Sequence, residues 1–341
     1  MARTYEFTIG PAETGLRLDQ FLSRRLPEFI SRTLIQRIIR SGRVTINGAA
    51  EKVSYKLRNA DKVTAAVEQI PPKPGDVPLV AQAIQLDIAY EDEHVLVVNK
   101  PAGLVTHPAP GHWDGTLVNA VLWHLEQSGP KGADGKPLAR AGIIHRLDKD
   151  TSGLLMVAKS PEAQLVLSRS MKARTIHRSY LAVVEGSVPT DNGTVTASLA
   201  RHAVHRKRMA VRHLGGRHAV THYAVLRRFS RKAMAGKVPE ALLPCTLLRL
   251  ELDTGRTHQI RVHLTHEGHA IVGDEKYGDF ALNKALARGE AVRGVRFDRM
   301  FLHARRLRFA HPGTGATIEL EAPLPAECEA LLHALARPAS P

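Results

Sequence analysis

The chain has 341 residues, 43% apolar and 24% charged, an ordinary mixture for a folded protein with a sizeable core and room for two or three domains. Lys and Arg number 48 against 33 Asp and Glu, and the formal charge of +15 is a footprint for a polyanionic partner that says nothing of the fold. No run approaches the roughly 20 apolar residues of a membrane span, MARTYEFTIG lacks the order of a signal peptide, and Cys245 and Cys328 stand apart without CxxC spacing. A cytoplasmic protein without disulfide framework, thiolate zinc site or membrane anchor is therefore expected.

Residues 1–14 read as a flexible N-terminus, and residues 15–70 as a compact unit of two short helices and a hairpin. In LDQFLSRRL, Leu18, Leu22 and Leu26 recur every four residues beside Phe21, which makes one helical face apolar. In SRTLIQRIIRSG, the pairs Leu34/Ile38 and Ile35/Ile39 follow a Ser31 or Thr33 cap, and Gly42 supplies the stop. RVTINGAAEKVSY alternates Val44 and Ile46 before Asn47-Gly48, the strongest short hairpin signal. The unit holds eleven Lys/Arg against five acids. Taken singly, each of Arg17, Arg32, Arg37, Arg40 and Arg43 could equally solvate a surface; together they favour phosphate contact. This order of helix, helix, GRVTING and hairpin resembles the S4 RNA-binding domain, which implies positioning on structured RNA by shape and backbone. Residues 71–85 read as a linker, since PPKPGDVPLVAQ holds four prolines and a glycine.

From residue 86 to 335 strands and helices intervene. A strand is expected at 95–99, halted by Pro101 and Gly103, and a buried strand in GLLMVAK. Ser160-Pro161-Glu162 then caps a helix to about Met171. SYLAVVEG, VTASLARH, KRMAVRH, AVTHYAVLRRF and TLLRLELDTG read as strands. A further helix inside RTHQIRVHLTHEG has Thr257 as cap and ends at Gly268, and two last strands flank Gly313-Thr314-Gly315. Helices look few and hairpins many, so the expected fold class is α+β, with a large mixed, mainly antiparallel sheet and flanking helices. Residues 336–341 read as a flexible tail, and the stretches 129–139 and 230–245 as insertions without readable chemistry.

HRLDKDTSG, residues 145–153, lies where a strand breaks between two apolar runs. Asp148, Asp150, Thr151 and Ser152 can bond their own backbone there, and Gly153 permits the return. If the loop is extended, Arg146 and Asp148 point the same way while Leu147 points inward. A stiff loop without chemistry, with Arg146 bridged to Asp150, is the plain alternative. GRTHQIRVHL places Ile260 and Leu264 on a buried face and Arg261 on its flank. The tract RHAVHRKRMAVRH offers Arg206, Lys207 and Arg208 to an RNA backbone or to solvent. His258, His263, His266 and His269 crowd one segment without the HExxH order of a metal site, so no metal is expected.

HRLDKDTSGLLMVAK, RSYLAVVEG and GRTHQIRVHLTHEGHAIVGDEKYGD, in that order, look like the three signature segments of the RluA family of RNA pseudouridine synthases. The resemblance implies that Asp148 is the catalytic carboxylate, that Arg261 pairs with it, that Tyr180 stacks on a flipped uracil, and that Arg146 fills the gap the nucleotide leaves. It also implies chemistry without a cofactor. Members with an S4 module mostly act on the large ribosomal subunit, which implies 23S rRNA or a ribosome assembly intermediate as partner. A monomer without obligatory protein partner is expected. RluC-like and RluD-like features both occur, and the chain has Ala270 where the family commonly has proline. A non-catalytic S4-type RNA-binding protein, a synthase acting on tRNA, and a base-excising glycosidase remain as alternatives.

Overall fold

The computed structural model describes residues 3–26, 32–67, 79–109, 112, 114–128, 142–205, 208–212, 214–230, 244–292 and 294–336. The chain divides into two compact units, with the boundary between Pro78 and Leu79.

In the first unit, strand β1 (Arg3–Thr8) leads through a single 3-10 turn to helices α1 (Leu18–Arg25) and α2 (Arg32–Arg40). Strands β2 (Val44–Ile46), β3 (Ala49–Ala50) and β4 (Lys62–Val67) follow. The sheet order is β1-β4-β2-β3. The reading of residues 1–14 as flexible is corrected here: Tyr5 and Phe7 turn inward, Ile9 is buried, and Arg3 to Thr8 pair antiparallel with Val67 to Lys62. The partner strand lies some sixty positions away, so no local pattern announces the pairing. Asn47 and Gly48 both adopt positive φ (51° and 87°), the backbone that a tight hairpin with right-handed strand twist requires. The core joins Leu18, Phe21 and Leu22 of α1 to Ile35, Ile38 and Ile39 of α2 and to Val44, Ile46 and Val63 of the sheet.

The second unit begins before residue 86. Asn119 Nδ2 donates to the Val80 carbonyl (2.7 Å) and Gln82 N to the Asn119 carbonyl (3.0 Å), so residues 79–85 are tied to the helix of the second unit that carries Asn119 and are not linker. Its elements are β5 (Ile88–Glu91), β6 (Val95–Lys100), α3 (Leu117–Ser128), β7 (Gly142–Ile143), β8 (Ser152–Ala158) and α4 (Pro161–Ala173). Then come β9 (His177–Glu185), β10 (Asn192–Thr196), β11 (Leu199–Arg201), β12 (Met209–Val211), β13 (Val220–Phe229) and β14 (Cys245–Leu252). The chain closes with α5 (Gln259–His266), α6 (Phe280–Arg288), β15 (Leu302–Ala310), β16 (Thr317–Glu321) and α7 (Ala326–Ala336). A ten-stranded sheet runs β10-β13-β14-β9-β15-β8-β6-β5, with β16 on β15 and β7 on β8. Among the described residues only the β15/β8 pair is parallel, so the sheet is mixed and mainly antiparallel, with helices packed against it.

β8 is buried along its whole length because both faces are covered. Leu155 and Val157 join a core with Leu117 and Val121 of α3 and Ile260 and Leu264 of α5. Leu154 and Met156 join another with Ala163 and Leu167 of α4. Helices are more numerous than expected. α3 escapes a periodicity reading because Leu117, Val118, Ala120, Val121, Leu122 and Leu125 are all buried, and the exposed Trp123, Glu126 and Gln127 gather only toward its C-terminal end. α6 and α7 cover Val183, Phe229 and Cys245 together with Phe297 and Phe301. Among the described residues, no helix is long and apolar enough to cross a membrane.

Candidate active site

The loop 144–151 enters β8, and its conformation is fixed from outside. Lys100, fully buried at the end of β6, donates from Nζ to the carbonyls of Pro101 (2.7 Å), Leu104 (2.9 Å) and Lys149 (3.0 Å). Thr106 Oγ1 donates to the Leu147 carbonyl (2.8 Å), and Arg299 Nη2 reaches the Asp150 carbonyl (3.3 Å) and Ser152 Oγ (2.8 Å). Leu147 is sunk in the core. With the Leu147 side chain sunk and the carbonyls of Leu147, Lys149 and Asp150 held, Arg146 and Asp148 are left lining the cavity. Gly153 has φ +107°, and a Cβ there would lie 2.2 Å from the Ala304 carbonyl oxygen. Glycine is what lets β8 approach β15 in the parallel pair.

Arg261 rises from α5 beside this loop. Its Nη1 donates to Asp148 Oδ2 at 2.9 Å, while Nε and Nη2 form a fork on Asp274, both at 2.7 Å. Asp274 is 1% exposed and also accepts from the backbone of Lys276 (2.9 Å) and Tyr277 (3.1 Å). Burial alone would weaken the guanidinium as a base-bound cation; the two carboxylates outweigh it and hold its pKa above the ordinary value. Asp274 therefore aims the arginine, and Asp148 takes its third N–H at the cavity wall, with 16% of its side chain exposed.

The start of α5 differs from expectation. His258, not Thr257, occupies the cap position, in a left-handed conformation (φ 55°) and without a side-chain cap bond. Gln259 replaces the cap: its Oε1 accepts from Arg256 N (3.0 Å) and Thr254 Oγ1 (2.7 Å), and its Nε2 donates to the Val220 carbonyl (2.8 Å). That leaves His258 free to turn inward, where Nε2 lies 4.0 Å from Asp148 Oδ2 and Nδ1 lies 2.8 Å from the Tyr277 hydroxyl. Tyr277 accepts from Met209 N (2.8 Å), so its own proton points to Nδ1 and His258 presents Nε2–H to the carboxylate. Burial pushes the His258 pKa down to about 4 against the pull of Asp148, so this imidazole is neutral. Arg261 also sits 5.0 Å from the Tyr277 ring centroid, within cation–π range.

Tyr180 of β9 is almost fully buried, and burial raises its phenol above the ordinary pKa against the opposing effect of Arg178. Two adjoining cavities, about 50 and 370 Å³, are both lined by Arg146, Asp148, Tyr180 and Arg256; Arg261 and His258 border the smaller. The four residues Asp148, Tyr180, Arg261 and Arg146 are thus brought together from the loop, the strand and the helix. Arg146 is exposed and has no ion pair to Asp150 among the described residues.

The remaining basic residues are more scattered. Arg37, Arg40 and Arg43 are exposed on the first unit, whereas Arg17 is engaged with buried Asp19 (3.0 Å). Arg32 begins α2, but its side chain, like Arg206 and Lys207, lies outside the described residues; Arg208 is exposed next to β12. His263 bonds Thr221 Oγ1 (2.9 Å) and the Ala197 carbonyl (3.2 Å), a core role. Asp274 and Tyr277 carry no signature of their own in the sequence, and His258 stands there only as one of four crowded histidines. An acid placed directly after the apolar run Ala-Ile-Val-Gly was the available signal, because a buried carboxylate needs a cation.

Comparison with known proteins supplies the family. A family model described as RNA pseudouridylate synthase matches residues 94–266, and the S4 domain model matches residues 16–63. A Bacillus subtilis relative named uncharacterized RNA pseudouridine synthase YlyB is 40% identical over 331 residues, spanning 97% of each chain. A Nitrosomonas europaea relative named ribosomal large subunit pseudouridine synthase D is 42% identical over 332 residues, covering 97% of this chain and 88% of that one. Among solved structures, human RNA pseudouridylate synthase domain containing 1 superposes with a TM-score of 0.52 at 26% identity, covering 76% of this chain and 99% of its own. With this site on this sheet and an S4 domain ahead of it, the chain belongs to the RNA pseudouridylate synthase family and is an isomerase of that family.

Proposed function

We propose that the protein converts specific uridines of large-subunit (23S) ribosomal RNA into pseudouridine, with Asp148 as the catalytic carboxylate acting on a nucleotide flipped out of its stack. The reaction cleaves the bond from uracil N1 to ribose C1′, turns the base and joins C1′ to C5. The C5 proton is lost and N1 gains one, so atoms balance without oxidant, reductant or cofactor. Asp148 either adds to C1′ or removes the C2′ proton; both begin from an ionised carboxylate beside the sugar. The observation that carries the reading is the contact of Asp148 with Arg261, itself locked by Asp274, on the wall of a cavity shared with Tyr180. The guanidinium is a fixed counter-charge beside the carboxylate, already in place where charge moves at the sugar.

The remaining residues fit the same scheme. Tyr180 offers a flat, buried ring against which the detached uracil stays while it turns. Arg146, exposed at the cavity mouth, enters the stack vacated by the nucleotide. The S4 unit, with Arg37, Arg40 and Arg43 exposed, holds structured RNA through its phosphates. The large-subunit substrate rests on the names of the relatives, several of them called ribosomal large subunit pseudouridine synthase D.

Carbodiimide adducts mapped on ribosomal RNA from cells with and without the protein test the proposal. Specific adducts should vanish in the deletion, return with the wild-type chain and stay absent with Asp148→Ala. Unchanged adducts in the deletion would overturn the substrate, and their restoration by Asp148→Ala would overturn the role of the carboxylate.

A further inference from the structure

Arg178 lies two residues before Tyr180 on β9 and so shares its face of the strand. It is 8% exposed, its Nε has no hydrogen-bond acceptor, and among the described residues no carboxylate lies within ion-pair distance of it. A buried guanidinium without a counter-charge is strongly unfavourable. Arg261, equally buried, shows the ordinary arrangement with two aspartates.

A second unsatisfied group lies in the same wall. His145 is 8% exposed, and its Nε2 accepts from Met156 N at 3.2 Å, which leaves the proton on Nδ1. That Nδ1 has no partner either. Both orphaned atoms are donors enclosed by protein, while other atoms of both residues line the cavity of about 370 Å³ beside Asp148, where Arg146 and Arg256 add two further cations. Asp148, already paired with Arg261, is the one acid in that lining among the described residues. At Gly255 a Cβ would come within 3.3 Å of Arg178 Nη1, so the glycine leaves the guanidinium room. What this wall lacks is an anion with several acceptor oxygens.

We infer that this cavity is a phosphate-binding pocket, which holds an RNA backbone phosphate next to the target uridine against the guanidinium of Arg178. The inference rests on the reading of the neighbouring site as the place where the uridine reacts, and it adds a phosphate clamp that fixes the sugar against Asp148. It also accounts for keeping in the fold an arginine whose polar neighbour is the Tyr180 hydroxyl and not a carboxylate: the ligand completes the ion pair.

The test is a scan of synthetic RNA fragments, each containing the modified uridine and one neutral methylphosphonate in place of a flanking phosphate. Affinity is measured by filter binding and isomerisation separately. One position should weaken binding to the wild-type protein at least tenfold. The same replacement should cost Arg178→Gln less than twofold, because the group that reads the charge is already gone. Without RNA, Arg178→Gln should melt at or above the wild-type temperature. Should that variant not fold, Arg178→Lys serves for the comparison, with a partial loss confined to the same phosphate. Binding by the wild-type protein within twofold at every position, or an equal loss in wild type and variant, would overturn the pocket. Absence of isomerisation on the unmodified fragment would strike the isomerase reading instead and leave the binding result standing.

Discussion

Replacing Asp274 by alanine separates the two aspartates that share Arg261. The change removes a carboxylate that is 1% exposed and that takes two N–H bonds of 2.7 Å from the guanidinium, leaving a buried cation with one partner. Removing one member of a buried ion pair costs about 3–5 kcal/mol, and in a domain of this size each kcal/mol lowers the melting temperature by about 2–4 °C. Asp274→Ala should therefore melt roughly 6–20 °C below wild type. Asp148→Ala loses a single contact of 2.9 Å at a cavity wall while Arg261 keeps its fork on Asp274, so it should cost only about 1 kcal/mol. The rates should fall in the opposite order. Asp148→Ala should show no isomerisation, whereas Asp274→Ala, assayed well below its melting point, should lose about 100-fold through a misplaced Arg261. Melting is followed by circular dichroism and turnover by tritium released from RNA labelled at uracil C5. The reasoning fails if Asp274→Ala melts within 2 °C of wild type at about full rate, or if Asp148→Ala proves the less stable of the two.

His145, His258 and His303 are each held neutral by burial, with pKa values pushed down to about 3, about 4 and about 4. The unfolded chain titrates near 6.5, takes up protons first, and is favoured as pH falls below that value. Stability at pH 5 should drop by up to about 2 kcal/mol per histidine. Urea unfolding at pH 7 and 5 checks this; His303→Gln should reduce the difference, and equal stability at both values would refute neutral burial. Gly153→Ala combines φ +107° with a 2.2 Å approach to the Ala304 carbonyl, so it should cost more than the roughly 1–3 kcal/mol of backbone strain alone. A wild-type yield and melting point would refute the close approach of β8 and β15. Replacing Arg37, Arg40 and Arg43 together by glutamine should lower the slope of log affinity against log salt by about 2–3, at about 0.7–0.9 per phosphate contact. An unchanged slope would remove these residues from the RNA interface.

Local pattern sufficed where structure is local. The Ile35/Ile39 pair of α2, the Asn47-Gly48 turn and the Ser160-Pro161 cap show in the fold, the last with Ser160 Oγ accepting from Ala163 N at 3.1 Å, while Leu34 lies outside the described side chains. It failed where burial is nearly continuous, as in the first turns of α3, whose exposed residues Trp123, Glu126 and Gln127 come only toward its end. It failed again at β1, whose partner β4 lies at the far end of the unit.

The sequence by itself determined the α+β class, the two modules, and the residue types at Asp148, Tyr180, Arg261 and Arg146, because apolar spacing, turn residues and signature segments are written in consecutive positions. Only the tertiary structure decided how those groups are held. Lys100 caging the loop carbonyls, Asp274 forking Arg261, Tyr277 setting the proton of His258, and Arg178 left without an acid each depend on contacts across the sheet. The physical reason is that a buried charge or donor is defined by what surrounds it, and its surroundings come from chain segments tens to hundreds of residues away.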